Sequence, residues 1–167
     1  YNKVGIDPSN ITKNLKSKNI KILNDFFPPR KTTNYFNNKK FNLITSIAMF
    51  YDIQKPTVFV KNIKKIFVKD GIWIFELSYL VEMLKLNSYD TICHEHLEYY
   101  SLTTLNYLMK ICGMKIFKVK FNDINGGSVR CYVTHINNYK YDTRNNYKII
   151  EKKLKYEKKI KINTIQP

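Results

Sequence analysis

The chain has 167 residues, enough for one domain with a single core, and its many Tyr and Phe but few Gly and Pro residues indicate a globular protein. No apolar run approaches the ~20 residues of a membrane span, and the three widely spaced cysteines form neither a disulfide framework nor a paired zinc motif, so we expect a cytoplasmic protein without a membrane partner. The formal net charge of +16 suggests a polyanionic partner, but most of the lysines are dispersed and accompany an excess of Asn and Ile, which indicates codon bias instead.

The chain begins with a predicted strand that leads into a helix. Residues 3–7 are a short apolar run ending in Asp7-Pro8-Ser9, an acidic residue followed by Pro and a helix-capping Ser. Ile11 and Leu15 continue at helical spacing, which predicts a helix to about residue 18.

Two further strands are expected before the middle of the chain. The first covers residues 21–23 and is followed by the polar residues 28–40, which predict a loop that holds a short helix. Residues 41–49 are a continuous apolar run, which is typical of a strand buried on both faces of a parallel sheet.

A helix and another strand follow. Pro56 suits the first turn of a helix, and the apolar positions in residues 59–67 recur at helical spacing. Asp70-Gly71 predicts a turn into a buried strand over residues 72–77. Strands alternating with helices at this spacing indicate a parallel α/β sheet.

The pattern changes in the second half of the chain. A helix is predicted over residues 79–86, and a second helix runs from the cap Ser101 to Cys112, where Gly113 supplies a left-handed residue. Two strands over residues 114–121 and 128–135 have a short connection, which predicts an antiparallel hairpin. A lysine-rich helix is expected over residues 145–162.

Two acidic residues at strand ends are candidates for a nucleoside site. Asp7 either accepts hydrogen bonds from ribose hydroxyls or only caps the following helix, and the residues alone weigh these about equally. Asp25 could accept from an adenine amino group beside the ring of Phe26, although such a Phe is more often part of the core.

The densest group of reactive side chains lies in residues 90–101, where His94 and His96 flank Glu95 close to Cys93. An imidazole titrates near neutral pH and a neighbouring carboxylate can orient it, which suits proton abstraction next to a carbonyl. A metal site formed by Cys93 and the two histidines is the alternative, but no second ligand cluster is close in sequence, so we expect no metal.

Residues 125–130 form the other candidate cluster. Paired glycines let backbone N–H groups approach an anion, and Ser128 and Arg130 would add donors. An ordinary hairpin turn, which Asn-Gly favours, explains the same residues, and locally the turn is favoured.

Together these segments resemble the sugar C-methyltransferase family of class I, SAM-dependent methyltransferases. The match occurs in the family's order over residues 3–133, and the His-Glu-His segment with the later Gly-Gly-Ser is its most specific part. The matching segments are Val4-Gly5-Ile6-Asp7-Pro8-Ser9, Phe41-Asn42-Leu43-Ile44, Asp70-Gly71-Ile72-Trp73-Ile74-Phe75-Glu76, Tyr79, His94-Glu95-His96 with Tyr99 and Ser101, and Gly126-Gly127-Ser128.

The resemblance implies an α/β, Rossmann-like sheet whose parallel strands end in an antiparallel hairpin. It also implies that Glu95 and His96 are the acid–base pair, with His94 and Cys93 in the same catalytic segment. The implied SAM contacts are Asp7, Pro8, Asp25, Phe26, Ala48 and Met49. The implied substrate contacts are Tyr79, Tyr99, Asn125, Gly126, Gly127, Ser128 and Arg130.

The implied reaction is methylation of a carbon in a nucleotide-linked keto-sugar, in which a base removes a proton next to the carbonyl and the enolate attacks the SAM methyl group. An O- or N-methyltransferase and a basic nucleic-acid-binding module are the alternatives. The products would enter surface glycans or glycosylated metabolites.

The sequence departs from the family pattern at three places. Cys93 stands where Tyr is common, and Asn125 where His is common. The family's first strand, glycine-rich loop and zinc domain would precede Tyr1, so we expect a fragment. We expect this chain to consist of a partial methyltransferase domain over residues 1–138 and the start of a helical C-terminal domain over residues 139–167.

Overall fold

Two parallel strands open the chain in the computed structural model, which describes residues 3–162. They are β1 (Lys3–Ile6) and β2 (Ile20–Leu23), as predicted. The chain divides into two compact units after Lys40. The predicted domain boundary between residues 138 and 139 stays a prediction. The two predicted domains include residues 1–2 and 163–167, which lie outside the described residues.

The helix that follows β1 is shorter than predicted. It is α1 (Asn10–Lys13), and the expected extension to residue 18 is wrong. Ile11 and Leu15 are 79% and 54% exposed, so the apolar stripe has no surface within residues 3–162 against which to pack. A short helix without a buried face is not stable beyond a turn. The predicted short helix in the following loop is confirmed as a 3₁₀ turn, Thr33–Phe36.

The second unit contains a mixed sheet of four strands. They lie in the order β3 (Phe41–Ile47), β4 (Phe67–Ser78), β6 (Ser128–His135) and β5 (Met114–Asn122). The pair β3–β4 is parallel, whereas β6 is antiparallel to both of its neighbours. Parallel strands ending in an antiparallel hairpin are therefore confirmed, and β6 lies between β4 and β5.

The strand β4 starts earlier than the sequence indicates. Asp70-Gly71 is not a turn before the strand but a bulge within it, since the pairing passes from Phe41–Phe67 directly to Leu43–Ile72. A carbonyl group of the bulge is hydrogen-bonded, because the Tyr141 hydroxyl donates to the backbone carbonyl oxygen of Asp70 at 2.6 Å.

Residues 41–162 of this unit contain four α-helices: α2 (Pro56–Lys65), α3 (Leu80–Lys85), α4 (Leu102–Ile111) and α5 (Arg144–Lys159). The predicted cap is confirmed, because the Ser101 hydroxyl accepts from the Thr104 N–H at 3.2 Å. Gly113 has a φ of 70°, as its position after α4 requires. No helix within residues 3–162 is both long enough and apolar enough to cross a membrane.

The strand β3 is not buried on both faces, contrary to the prediction. Leu43 and Ile47 are 57% and 51% exposed. On the opposite face, Ser46 is buried and its hydroxyl accepts from the Trp73 indole N–H at 3.1 Å. The apolar content of β3 therefore exceeds what the described residues cover.

A fully buried aromatic ring anchors the turn after β3. Phe50 begins the 3₁₀ turn Phe50–Asp52 and has no exposed surface. Its ring centroid lies between 5.2 and 5.6 Å from those of four other rings. These rings belong to Phe59, Trp73, Phe75 and Tyr100.

A buried carboxylate joins the last helix to the rest of the unit. Glu157 on α5 has no exposed surface and accepts from the Tyr79 hydroxyl at 2.6 Å. It also accepts from the backbone N–H groups of Leu102 and Thr103 at 2.7 and 2.8 Å, and from the Thr103 hydroxyl. A negative charge at the first turn of α4 is favourable because the helix dipole is positive there.

We expect Glu157→Ala to lower the free energy of unfolding by about 3 kcal/mol or more, because several buried donors would lose their acceptor. Urea denaturation measures the change. The matched control is Glu151→Ala, which removes an exposed carboxylate from the same helix and should change stability by less than ~0.5 kcal/mol. Equal effects of the two substitutions would contradict this role of Glu157.

Candidate active site

Asp7 lies at the carboxyl end of β1, as predicted. Its Oδ1 accepts from the Ser9 N–H at 2.7 Å, and the side chain is exposed together with Pro8. Hydrogen bonds from the side chain and the backbone of Ser9 lower the pKa of the Asp7 carboxyl. The residue is thus an exposed, ionised acceptor that also helps to shape the entry to α1.

Asp25 lies just after β2, at the same edge as Asp7, and organises the loop that follows. Burial acts to raise its pKa, but backbone N–H groups at Thr32, Lys31, Arg30 and Phe26 hold that pKa far below its ordinary value. Among the described residues, four of the five hydrogen bonds go to Oδ2, and Oδ1 accepts from the Phe26 N–H at 2.8 Å. The Arg30 guanidinium lies over the Phe26 ring, 4.6 Å from its centroid.

In the second unit, Ala48 and Met49 follow β3 and lead into the turn that contains Phe50. Ala48 has a φ of 51°, and its N–H donates to the Glu76 carbonyl at 2.9 Å. A positive φ is unusual for a residue with a Cβ atom and persists where surrounding contacts impose it. The backbone thus turns sharply where β3 ends beside β4.

The segment that contains His96 is docked on this turn. The Tyr51 carbonyl accepts from the N–H groups of both Leu97 and Glu98 at 3.1 Å. The rings of Tyr51 and His96 are in contact, with centroids 4.2 Å apart and planes inclined by 50°. His96 is half-buried, whereas Cys93, His94 and Glu95 are exposed.

One hydrogen bond defines the protonation of neutral His96. Its Nδ1 lies 2.8 Å from the Thr91 carbonyl oxygen. A carbonyl oxygen can only accept, so Nδ1 must carry the proton and Nε2 is left with the lone pair. The imidazole is therefore held in the tautomer in which Nε2 can act as a base.

Two carboxyl groups, those of Asp52 and Glu95, lie near His96. Partial desolvation raises the pKa of the Asp52 carboxyl, the nearby His96 acts to lower it, and Glu95 raises it further. Burial also raises the pKa of the Tyr51 phenol, with Asp52 and Cys93 adding to the effect. Among the residues that the structure describes, no three His, Cys, Asp or Glu side chains are grouped so that they could hold a metal ion.

The two tyrosines that the resemblance places at the substrate have different environments. Tyr79 is fully buried; its burial and then its hydrogen bond to Glu157 raise the pKa of the phenol far above the ordinary value. Tyr99 is half-buried, and its hydroxyl approaches the Thr91 carbonyl at 3.4 Å, beside the His96 contact. Tyr99 is thus the one of the pair close to the candidate base.

The paired glycines approach other parts of the protein closely. A Cβ atom on Gly127 would lie 2.6 Å from Cβ of Glu82, and one on Gly126 would lie 2.8 Å from the Ser88 hydroxyl oxygen. Both glycines have positive φ. The Gly127 N–H donates to the Ile124 carbonyl at 3.1 Å, as a turn requires. These contacts account for both glycines without an anion.

The polar side chains around this turn are already engaged. The Ser128 hydroxyl is buried and donates to the Ile124 carbonyl at 2.8 Å, while Arg130 pairs through Nε with the buried Glu76. A cavity of about 260 Å³ lies beside the turn. Its lining residues are Glu82, Leu86, Phe121, Asn122, Asp123, Gly126 and Gly127. Its charged lining groups are carboxylates, of which Glu82 is paired with Lys85 at 3.0 Å and lies 3.8 Å from Lys153.

The tertiary structure brings together residues that the sequence left apart. Tyr51 and Asp52 are not among the predicted site residues, yet they contact or influence His96. The signal that could have found them is their position just after a parallel strand, where side chains from several strands converge. Gly126 lies against Ser88, two residues before the predicted cluster over residues 90–101.

The fold is that of SAM-dependent methyltransferases. The chain superposes on a Haloferax volcanii complex of the Trm112 methyltransferase activator with a putative methyltransferase, with a TM-score of 0.64, 12% identity, and 80% and 72% of the two chains covered. The methyltransferase BpumL, in complex with a monoazolic plantazolicin analogue and SAH, gives a TM-score of 0.61 at 9% identity, covering 80% and 66%. LepI in complex with SAM gives 0.59 at 8% identity, covering 80% and 36%.

The chain belongs to the methyltransferase domain family, whose model matches residues 1–119. It is also 39% identical over 70 residues to the C-methyltransferase NovU of Streptomyces niveus. That match covers 42% of this chain and only 17% of NovU. The predicted methyltransferase fold is thereby confirmed.

We expect Asp25→Asn to destabilise the protein at neutral pH, and the loss should shrink as the pH falls. A lowered pKa in the folded state stabilises the fold above the ordinary value of 3.8, and this contribution is lost as the pH falls through the folded-state pKa. Melting temperatures measured from about pH 7 to about pH 2 test this sign. Asp90→Asn, at an exposed carboxylate, is the control. If Asp25→Asn lowered the melting temperature by the same amount at every pH, the lowered pKa of Asp25 in the folded state would be contradicted.

Proposed function

We propose that this chain is part of a SAM-dependent enzyme that methylates a carbon of a nucleotide-linked keto-sugar, with His96 as the general base. The observation that carries the proposal is the tautomer of His96, whose Nδ1–H is bound by the Thr91 carbonyl at 2.8 Å so that Nε2 can accept a proton. The identity to NovU supports methylation at carbon rather than at oxygen or nitrogen.

His96 and its neighbours would provide the proton transfer. A carbon next to a carbonyl can be deprotonated because the electron pair left behind is delocalised onto the carbonyl oxygen. Nε2 of His96 would take that proton, and Asp52 and Glu95 would stabilise the imidazolium that forms. His94 and Cys93 remain proposed members of this segment, exposed beside Glu95.

The residues proposed for SAM suit the parts of that molecule. SAM, when bound, supplies an electrophilic methyl group. Asp7 is an exposed, ionised acceptor, as ribose hydroxyls require, whereas Asp25 is buried and its Oδ1 has one donor among the described residues. Phe26 is 49% exposed and offers a flat apolar surface. Ala48 and Met49 are the remaining proposed contacts.

The proposed site for the sugar substrate, which accepts the methyl group, depends on the predicted substrate-binding residues. Tyr99 and Asn125 are the best placed for it, because both are at least partly exposed, whereas Tyr79 and Ser128 are buried and Arg130 is paired with Glu76. Glu82, Asn122 and Asp123 line the nearby cavity and could accept from sugar hydroxyls. Family membership favours this enzyme over the nucleic-acid-binding alternative, and a cytoplasmic location fits a nucleotide-linked substrate.

The proposal is tested by incubating the enzyme of which this chain is part with SAM that carries a ¹³C-methyl group and a panel of nucleotide-linked keto-sugars. We expect a new C-methyl resonance in the product. His96→Asn should lower the rate at least ~100-fold because the base is lost, while calorimetry should show an affinity for SAM within a few-fold of the wild-type value.

His135→Asn is the matched control, because His135 ends β6 and is not a proposed site residue. It should retain the wild-type rate. A labelled methyl group on oxygen or nitrogen would replace the proposal with the O- or N-methyltransferase alternative. Undiminished activity of His96→Asn would remove His96 from the mechanism.

A further inference from the structure

Tyr51 supports the segment that contains His96 through both its backbone and its side chain. Its carbonyl accepts from the N–H groups of Leu97 and Glu98 at 3.1 Å, and its ring contacts the imidazole at a centroid distance of 4.2 Å. The two contacts are chemically separate. Replacing the side chain removes the ring contact and leaves the backbone hydrogen bonds possible.

The imidazole needs this support because one hydrogen bond at its edge does not fix its plane. A neutral histidine in water prefers the proton on Nε2, the opposite of the arrangement that the Thr91 carbonyl imposes on His96. If the ring rotates about its side-chain bonds, Nδ1 leaves the carbonyl and the preference for Nδ1–H is lost. A ring in contact with the imidazole, at a centroid distance of 4.2 Å, opposes that rotation.

We propose that Tyr51 is a positioning residue, whose ring holds the imidazole of His96 with Nδ1–H on the Thr91 carbonyl and Nε2 as the basic nitrogen. This inference rests on the proposed function, in which His96 is the base. Tyr51 acts through His96 and through no contact of its own with the substrate.

The position of Tyr51 is itself well determined. It follows Phe50, which is fully buried among aromatic rings, so the turn cannot move without opening the core. Its phenol is partly buried and influenced by Asp52 and Cys93. The backbone position of Tyr51 is therefore set by its neighbour Phe50 in the core.

The experiment is ¹⁵N NMR of the imidazole groups in the whole chain, at a pH where histidine is neutral. The wild-type His96 should show a protonated Nδ1 and an unprotonated Nε2. Tyr51→Ala should shift this signal towards the Nε2–H form, whereas Tyr51→Phe, which keeps the ring, should retain the wild-type pattern. Where turnover is measured, Tyr51→Ala should lower kcat at least ~10-fold without changing the KM for SAM.

Tyr107→Ala is the control, because Tyr107 is 65% exposed on α4 and should leave the His96 signal unchanged. Circular dichroism monitors folding, and Tyr51→Leu, which keeps bulk but has no planar face, replaces the alanine variant if that variant unfolds. A wild-type tautomer in folded Tyr51→Ala or Tyr51→Leu would overturn the proposal, as would its loss in Tyr51→Phe.

The NMR measurement needs neither SAM nor an acceptor, so it separates this inference from the proposed function. The expected tautomer pattern, together with no methyl transfer by the enzyme of which this chain is part, would retain the positioning role and reject the proposed function. Methyl transfer by a folded Tyr51→Ala variant at the wild-type rate would reject the positioning role and retain the function.

Discussion

The fully buried ring of Phe50 packs against Phe59, Trp73 and Phe75 and stacks on Tyr100, with their centroids 5.5 Å apart. This contact joins the end of β3 to the end of the segment that contains His96. Because Tyr51 and Asp52 directly follow Phe50, the core determines where they stand. Dense packing makes that position stiff, which a site with a defined tautomer requires.

The segment between α3 and α4 is closed at its base. The Leu80 N–H donates to the Tyr100 carbonyl at 3.1 Å, and the Tyr79 N–H donates to the Gly127 carbonyl at 2.9 Å. Glu157 adds a contact from α5, a helix distant in sequence, to both Tyr79 and the start of α4. The exposed reactive side chains thus project from a loop whose two ends are fixed by buried groups.

Much of this arrangement was predictable. The cap at Ser101, the left-handed Gly113 and the hairpin of β5 and β6 depend on local rules that hold in any tertiary context. The density of His, Glu and Cys in residues 90–101 also indicated the candidate site. The predictions were wrong where burial determines the structure. The helix α1 ends early, and β3 has an exposed face, because neither has enough packing partners among the described residues.

The sequence by itself determined the alternation of strands and helices, the antiparallel hairpin and the chemical types of the candidate site residues, because propensities, caps and turn residues act over a few positions. Only the tertiary structure decided which nitrogen of His96 is basic and which residue contacts its ring. It also showed that Gly126 and Gly127 are needed for close packing against Ser88 and Glu82. Those features depend on contacts between residues far apart in the chain, and no local pattern specifies them.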